Sequence, residues 1–87
     1  MGRVPSDRPR KLPGKLLQLR KALKLSQAGM VERLGLTDKL TREDISKYER
    51  GVRLPALLTL LRYARAGGTT VDVLIDDDAR LHLTMSE

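Results

Sequence analysis

The stretch Thr41–Gly51, TREDISKYERG, decides how we expect this chain to fold. Thr41 is a favourable helix N-cap, and Asp44, three positions later, can complete a capping box with it. Gly51 suits the left-handed conformation that closes a helix. The spacing predicts a helix of about two to three turns, which is too short to be stable unless one face packs against the rest of the domain.

The two faces of this predicted helix differ in chemistry. At about 100° per residue, Ile45, Tyr48 and Glu49 fall on one side. The other side carries polar donors and a carboxylate acceptor, contributed by Arg42, Glu43, Ser46, Lys47 and Arg50. A short helix that docks by its inner face and presents such an outer face is suited to lie in a DNA major groove.

The composition indicates one small, basic, helical domain. The chain has 87 residues and a formal net charge of +6, and its core must be mainly aliphatic because it has no Phe or Trp. Residues 76–87 carry a charge of −3, so the +6 of the whole chain leaves +9 on residues 1–75. A domain this basic is expected to attract polyanions, although the same charge also serves solubility.

Several protein classes are disfavoured. The absence of cysteine excludes disulfides and thiolate metal sites. No apolar run follows the basic N-terminus as in a signal peptide, and no segment approaches the ~18 apolar residues that span a membrane. We therefore expect a cytoplasmic protein with no membrane contact and no cofactor.

An enzyme is also not expected. The one histidine, His82, lies in the predicted tail, and no Ser/His/Asp set or phosphate-binding loop accompanies it. The Asp76–Asp78 run lacks the spacing of a calcium loop. We interpret this run as a solvated acidic segment and not as a metal site.

A first helix is predicted over residues 13–24. Its apolar residues at helical spacing are Leu16, Leu19 and Leu23. Lys15 is predicted to lie off this stripe, whereas Arg20 falls on the buried side, where an unpaired charge is very costly. The Thr41–Gly51 helix has a matching anomaly, because Glu49 lies on its inner face. We therefore predict a structural ion pair between Arg20 and Glu49.

Three further helices follow from start and stop signals. They are predicted over residues 27–34, 55–66 and 71–75, with Ser26, Leu54-Pro55 and Thr70 at their starts. The fold class is therefore all-α, a compact domain of five helices over residues 13–75. Residues 1–12 are interpreted as a flexible basic arm, which either contacts DNA or only adds charge.

Residues 76–87 form an acidic tail with alternating apolar residues. Leu81, Leu83 and Met85 alternate with polar residues, which is typical of a short strand. A lone strand is unstable, so this one would pair with a second subunit or pack on the domain. A frayed tail is the alternative.

Four stretches of the chain together resemble the lambda-repressor-like helix-turn-helix family of phage repressors and xenobiotic-response-element regulators. They are LRKALKLSQ (Leu19–Gln27), RLG (Arg33–Gly35), ISKYERG (Ile45–Gly51) and LPALLTLLRYARAGGTTVDVLI (Leu54–Ile75). The resemblance implies five helices, of which the second and third form the DNA-reading unit. It also implies a repressor-like transcriptional regulator that binds double-stranded DNA, usually as a homodimer on two-fold-related half-sites.

The resemblance assigns roles to individual residues. It implies DNA base contacts from Arg42, Glu43, Ser46 and Lys47. It implies DNA phosphate contacts from Gln27, Arg50 and Arg53, to which we add Lys39. The predicted Arg20–Glu49 pair matches a buried ion pair that is common in the family.

Two features depart from the family pattern. The connection between Gly35 and Ile45 is about four residues longer than the usual turn, and we expect Leu36 and Leu40 to pack inward there. Val31 stands where a small residue is usual, which favours a wider crossing of helices two and three. The longer connection, together with the acidic Glu43 and Asp44, favours as an alternative function a protein-binding adaptor, or an antitoxin-like partner, that keeps the fold without reading DNA.

Overall fold

The computed structural model of the chain describes residues 8–83, and these residues form five helices. The helices are α1 (Leu12–Ala22), α2 (Gln27–Leu34), α3 (Arg42–Glu49), α4 (Leu57–Gly67) and α5 (Val71–Ile75). No strand occurs between residues 8 and 83. The predicted all-α fold of five helices is confirmed.

The core lies where α3 packs against α1 and α2, and where α4 contacts α1, α2 and α5. The core residues are Leu12, Leu16, Leu19, Met30, Val31, Leu34, Ile45, Tyr48, Leu60, Tyr63, Ala64, Leu74 and Leu81. The crossing of α1 and α4 depends on a glycine, because a Cβ on Gly67 would lie 2.5 Å from Leu19 Cδ1. Gly67 is the last residue of α4.

The ends of α2 and the start of α5 follow their local signals, whereas α4 begins at Leu57, after Ala56, and not at the predicted Pro55. The Ser26 side chain accepts a hydrogen bond from the N–H of Gly29 at 2.9 Å, and Gly35 closes α2 with a φ of 73°. Thr70 caps α5 by accepting from the N–H of Val73 at 3.2 Å. These contacts satisfy backbone groups that a helix end would otherwise leave unpaired, which explains why these boundaries could be predicted.

α1 differs from its prediction at both ends. It begins at Leu12, whose side chain is buried in the core, so the predicted arm loses its last residue to the helix. It ends at Ala22, two residues early, because Lys24 adopts a φ of 61°. A left-handed residue cannot continue a right-handed helix.

Lys15 was wrongly predicted to lie off the apolar stripe of α1. Once Leu12 begins the helix, the stripe includes position 15, and the Lys15 side chain is buried. Its Nζ donates to the carbonyl oxygens of Val73 at 2.6 Å and Asp76 at 2.8 Å. Lys15 therefore ties α1 to the carboxyl end of α5.

Lys15→Met should lower the free energy of unfolding by about 1–3 kcal/mol, because two carbonyl groups lose their donor while the apolar stem is kept. Urea denaturation followed by circular dichroism measures the loss. Lys21→Met, at an exposed position of the same helix, is the matched control and should change stability by less than about 0.5 kcal/mol. Equal losses in the two variants would contradict this role of Lys15.

The long connection between α2 and α3 packs as predicted. Leu36 and Leu40 are partly buried against the core, and the N–H of Leu40 donates to the carbonyl oxygen of Leu36 at 2.8 Å. Residues 37–39 form a turn between them. The additional residues therefore form a closed loop on the domain and leave α3 packed on α2.

The described part of the tail packs on its own domain. Leu81 belongs to the core and Leu83 packs partly against it, without forming a strand. This leaves Leu81 unavailable for strand pairing with a second subunit. The remainder of the predicted alternation, including Met85, lies outside the described residues.

Candidate nucleic-acid interface

α3 begins and ends with the predicted signals. Thr41 and Asp44 form a capping box, in which the N–H of Thr41 donates to Asp44 Oδ2 at 2.9 Å. Gly51 follows the helix with a φ of 73°. The other oxygen of Asp44 accepts a hydrogen bond from Arg53 Nη1 at 2.7 Å. Of the two acidic residues in the first turn of α3, Asp44 is therefore engaged within the protein.

The inner face of α3 is fixed by packing and by an ion pair. Ile45 and Tyr48 are buried in the core. Arg20 and Glu49 form two parallel hydrogen bonds, from Nε to Oε2 at 2.6 Å and from Nη2 to Oε1 at 3.0 Å. Their side chains are only 14% and 5% exposed. The ion pair predicted from the sequence is confirmed.

The ion pair sits in a network that joins three helices. Gln27 Nε2 donates to Glu49 Oε1 at 3.2 Å, and Arg20 Nη1 donates to the carbonyl oxygen of Leu25 at 2.9 Å. The hydrogen bonds to Glu49 raise the pKa of Arg20 above its ordinary value. Glu49 on α3 therefore holds side chains of both α1 and α2, which sets the position of α3 relative to them.

Tyr63 lies fully buried beneath this network. Its hydroxyl makes no hydrogen bond to any residue in the described part of the chain. Burial, together with the nearby charge of Glu49, raises the pKa of Tyr63 well above its ordinary value. The hydroxyl is thus kept neutral in the folded protein at any pH near neutrality.

Stability should fall steeply above about pH 10, and Tyr63→Phe should reduce this fall. The unfolded chain ionises Tyr63 near the ordinary tyrosine pKa of 10.0, whereas the folded chain keeps it protonated, so the stabilising contribution is complete below that pH and is lost as pH rises. Each such group makes the free energy of unfolding fall by about 1.4 kcal/mol per pH unit above the pKa of the unfolded chain. Chemical denaturation between about pH 8 and pH 11 measures this slope for the wild type and for Tyr63→Phe. Equal slopes in the two proteins would contradict the prediction, and near pH 7 the variant should be at least as stable because a buried unpaired hydroxyl is removed.

The outer face of α3 remains accessible. Arg42 and Glu43 are exposed, and Ser46 and Lys47 are partly exposed. Arg50, just after the helix, donates from Nε to Ser46 Oγ at 3.1 Å. The structure therefore brings the four residues assigned to base contacts onto one outward side, with Arg50 beside them.

The residues assigned to phosphate contacts lie at the start of α2 and in the segments that precede and follow α3. Lys39 is exposed in the connection that precedes α3, and Arg50 and Arg53 follow it. Gln27, at the start of α2, keeps its amide against Glu49. Arg53 is 55% exposed although it pairs with Asp44. These four side chains lie in the segments before, beside and after α3.

A basic cleft next to this surface was not predicted. It has a volume of about 460 Å³ and lies between the N-terminal segment and the loop after α3. Four arginines line it together with apolar and backbone groups; the arginines are Arg8, Arg10, Arg50 and Arg53. Arg8 Nη1 lies 3.4 Å from the carbonyl oxygen of Gly51, to which it donates.

Asp77 binds the N-terminal segment that forms one side of this cleft. Its carboxylate accepts hydrogen bonds from the backbone N–H groups of Arg10 and Lys11, each at 3.0 Å. These backbone bonds, from Lys11 first and then Arg10, keep the pKa of Asp77 below its ordinary value. The Asp76–Asp78 run, predicted to be solvated, therefore contains a carboxylate that binds a distant part of the chain.

Comparison with known proteins places the chain in a family. A family model described as helix-turn-helix matches residues 16–74, and the chain belongs to this family. Its fold is similar to that of the P22 c2 repressor, solved in complex with synthetic operator 9T in the presence of Tl⁺. The TM-score is 0.67 at 27% sequence identity, over 77% of this chain and 96% of the other. No curated protein matches the sequence.

The matches confirm the phage-repressor-like family predicted from the sequence. Within residues 8–83, no helix is long and apolar enough to cross a membrane. The same residues contain no group of three or more histidine or acidic side chains arranged to hold a metal ion.

Proposed function

We propose that this protein binds specific sequences of double-stranded DNA by placing α3 in the major groove, as a repressor-like, non-enzymatic regulator of transcription in the cytoplasm. The observation that carries this proposal is the orientation of α3. Its reverse side is held by Ile45, Tyr48 and the pair of Glu49 with Arg20, while its polar side faces outward. The helix-turn-helix match and the repressor–operator complex support the same function.

Base readout is assigned to the outward side of α3. Arg42 and Lys47 can donate to guanine O6 and N7, Glu43 can accept from cytosine N4, and the hydroxyl of Ser46 suits either kind of base edge. Each good contact contributes about 1–3 kcal/mol of discrimination. The acidic Glu43 also repels phosphate, which makes binding depend more strongly on base recognition.

Phosphate contacts are assigned to Gln27, Lys39, Arg50 and Arg53. Gln27 lies in the first turn of α2, where backbone N–H groups favour an anion. Arg53 is positioned by Asp44, and its exposure leaves other guanidinium nitrogens directed to solvent. Such contacts position the protein on the duplex and make its affinity depend on salt.

The proposal includes a homodimer that binds two-fold-related half-sites, because one α3 spans only a few base pairs. Within the described residues, the candidate dimer surface is α5 and the segment after it. Ile75 at the end of α5 is 39% exposed, which supports an apolar contact there.

A protein-binding adaptor is the second candidate function. Leu57 and Leu58 at the start of α4 are 69% and 72% exposed, and Val52 in the preceding loop is 57% exposed. Exposed apolar side chains of this kind favour a protein contact. The basic surface around α3 favours DNA instead.

Selection of bound fragments from a random duplex library tests the proposal. We expect an inverted repeat to be enriched, and we expect its affinity to fall steeply as salt rises from about 50 to about 200 mM. No enriched sequence, together with negligible binding to any duplex at about 50 mM salt, would support the adaptor function. Enrichment of a single half-site would support sequence-specific DNA binding but contradict binding as a homodimer.

A further inference from the structure

We infer that Asp77 is a positioning residue for DNA binding: it holds residues 8–11 against the loop after α3, so that Arg8 and Arg10 join Arg50 and Arg53 on one surface for the DNA backbone. This inference rests on the proposed function and extends the DNA-binding surface beyond the helix-turn-helix unit. The family match begins only at residue 16, so the N-terminal part of this surface lies outside it.

The contacts fix the N-terminal segment at two points. Two consecutive N–H groups, of Arg10 and Lys11, donate to the two oxygens of Asp77, one to Oδ2 and one to Oδ1. Arg8 reaches the carbonyl oxygen of Gly51 on the other side of the cleft. The segment is therefore held between the C-terminal part of the chain and the loop that follows α3.

The hydrogen bonds of Asp77 use the backbone of the segment and none of its basic side chains. Arg8 and Arg10 are exposed and line the same cleft as Arg50 and Arg53, which belong to the loop assigned to phosphate contacts. Four arginine residues along one cleft attract a polyanion. Arg50 directly follows α3, donates to Ser46 on its outer side and also lines this cleft, so the outer side of α3 and the cleft share this residue.

Charge alone predicts the opposite behaviour, which makes the inference testable. Asp77 is negative, so its removal should strengthen the attraction of DNA if the residue acted only through its charge. If Asp77 positions the arginines, its removal should weaken binding because two phosphate contacts lose their fixed geometry. Asp78 is an exposed neighbour with the same charge, and no hydrogen bond joins its carboxylate to residues 8–11.

The experiment compares Asp77→Ala with Asp78→Ala in the full chain. Affinity for the selected duplex is measured by fluorescence anisotropy from about 50 to about 200 mM salt, at a temperature where circular dichroism shows each variant folded. We expect Asp77→Ala to reduce the slope of log affinity against log salt by up to about 1.8, because each phosphate contact contributes about 0.9. Between about 50 and about 200 mM salt, a slope difference of about 1.8 changes the ratio of the two affinities roughly tenfold, with the greater loss for Asp77→Ala at the low-salt end.

A second comparison separates positioning from general destabilisation. Arg8→Ala/Arg10→Ala should reduce the slope by the same amount, and adding Asp77→Ala to that double variant should change the slope no further. Equal slopes for Asp77→Ala and Asp78→Ala, or an additional loss in the triple variant, would overturn the inference. Absence of salt-dependent duplex binding by the wild type would instead overturn the proposed function itself.

Discussion

Glu49→Ala should lower the free energy of unfolding by about 3 kcal/mol or more, because it leaves the Arg20 guanidinium unpaired at a site where its side chain is only 14% exposed. It also removes the acceptor of Gln27 on α2. For a domain of this size, each kcal/mol shifts the melting temperature by roughly 4–8 °C, so a fall of more than about 10 °C is expected in a thermal melt.

Glu43→Ala is the matched control for this prediction. It removes the same charge from the same helix, but Glu43 is exposed, so the loss should stay below about 1 kcal/mol. Arg20→Met/Glu49→Leu should be more stable than Glu49→Ala, because an apolar pair leaves no buried charge. Equal melting temperatures for Glu49→Ala and Glu43→Ala would contradict the role of the ion pair in anchoring α3.

Arg42→Ala/Lys47→Ala should remove most sequence discrimination. Two base contacts of about 1–3 kcal/mol each sum to roughly 2–6 kcal/mol, which is about 30-fold to about 10⁴-fold in the ratio of affinities. The measurement compares binding of the selected duplex with binding of a duplex of the same composition in scrambled order. Non-specific binding should weaken far less, because the phosphate-contacting residues are unchanged.

Lys21→Ala/Arg65→Ala controls for charge in this comparison. Both residues are exposed on α1 and α4, and their removal changes the net charge by the same amount. We expect this variant to keep the discrimination ratio of the wild type. A repeat of the library selection with Arg42→Ala/Lys47→Ala should lose the enriched motif, and an unchanged motif would show that α3 does not read the bases even though the fold is correct.

The anchoring of α3 links these two predictions. Glu49 lies on the reverse of the helix that carries Arg42 and Lys47, and its contacts reach α1 through Arg20 and α2 through Gln27. Loss of this network should therefore weaken duplex binding even under conditions where the domain remains folded. The stability of the core and the orientation of the DNA-binding face depend on the same three side chains.

Much of this architecture was accessible from the sequence because its determinants are local. Ser26 and Thr70 start their helices through their own side chains, and Gly35 closes α2 through its own backbone freedom. The Arg20–Glu49 pair was also predictable, although its members are 29 positions apart. Each was predicted to be the single charge on an otherwise apolar face, and a buried charge requires a partner of opposite sign.

The site residues were predicted in part for the same reason. Helical periodicity placed Arg42, Glu43, Ser46 and Lys47 on the outer side of α3, and the structure shows them there. Their contacts with bases remain a proposal. Periodicity could not show that Arg53 pairs with Asp44, because the geometry of the loop after α3 decides that contact.

The sequence by itself therefore determined the number and order of the helices, the starts of α2, α3 and α5, the outward polar side of α3 and the ion pair behind it, because each depends on side chains whose chemistry is visible in the sequence. Only the tertiary structure decided the roles of Lys15, Gly67 and Asp77. Lys15 and Asp77 bind backbone groups 58 to 67 positions away, and Gly67 meets one leucine of another helix. Backbone carbonyl and N–H groups are present at almost every residue, so no pattern of side chains could indicate which of them folding would bring together.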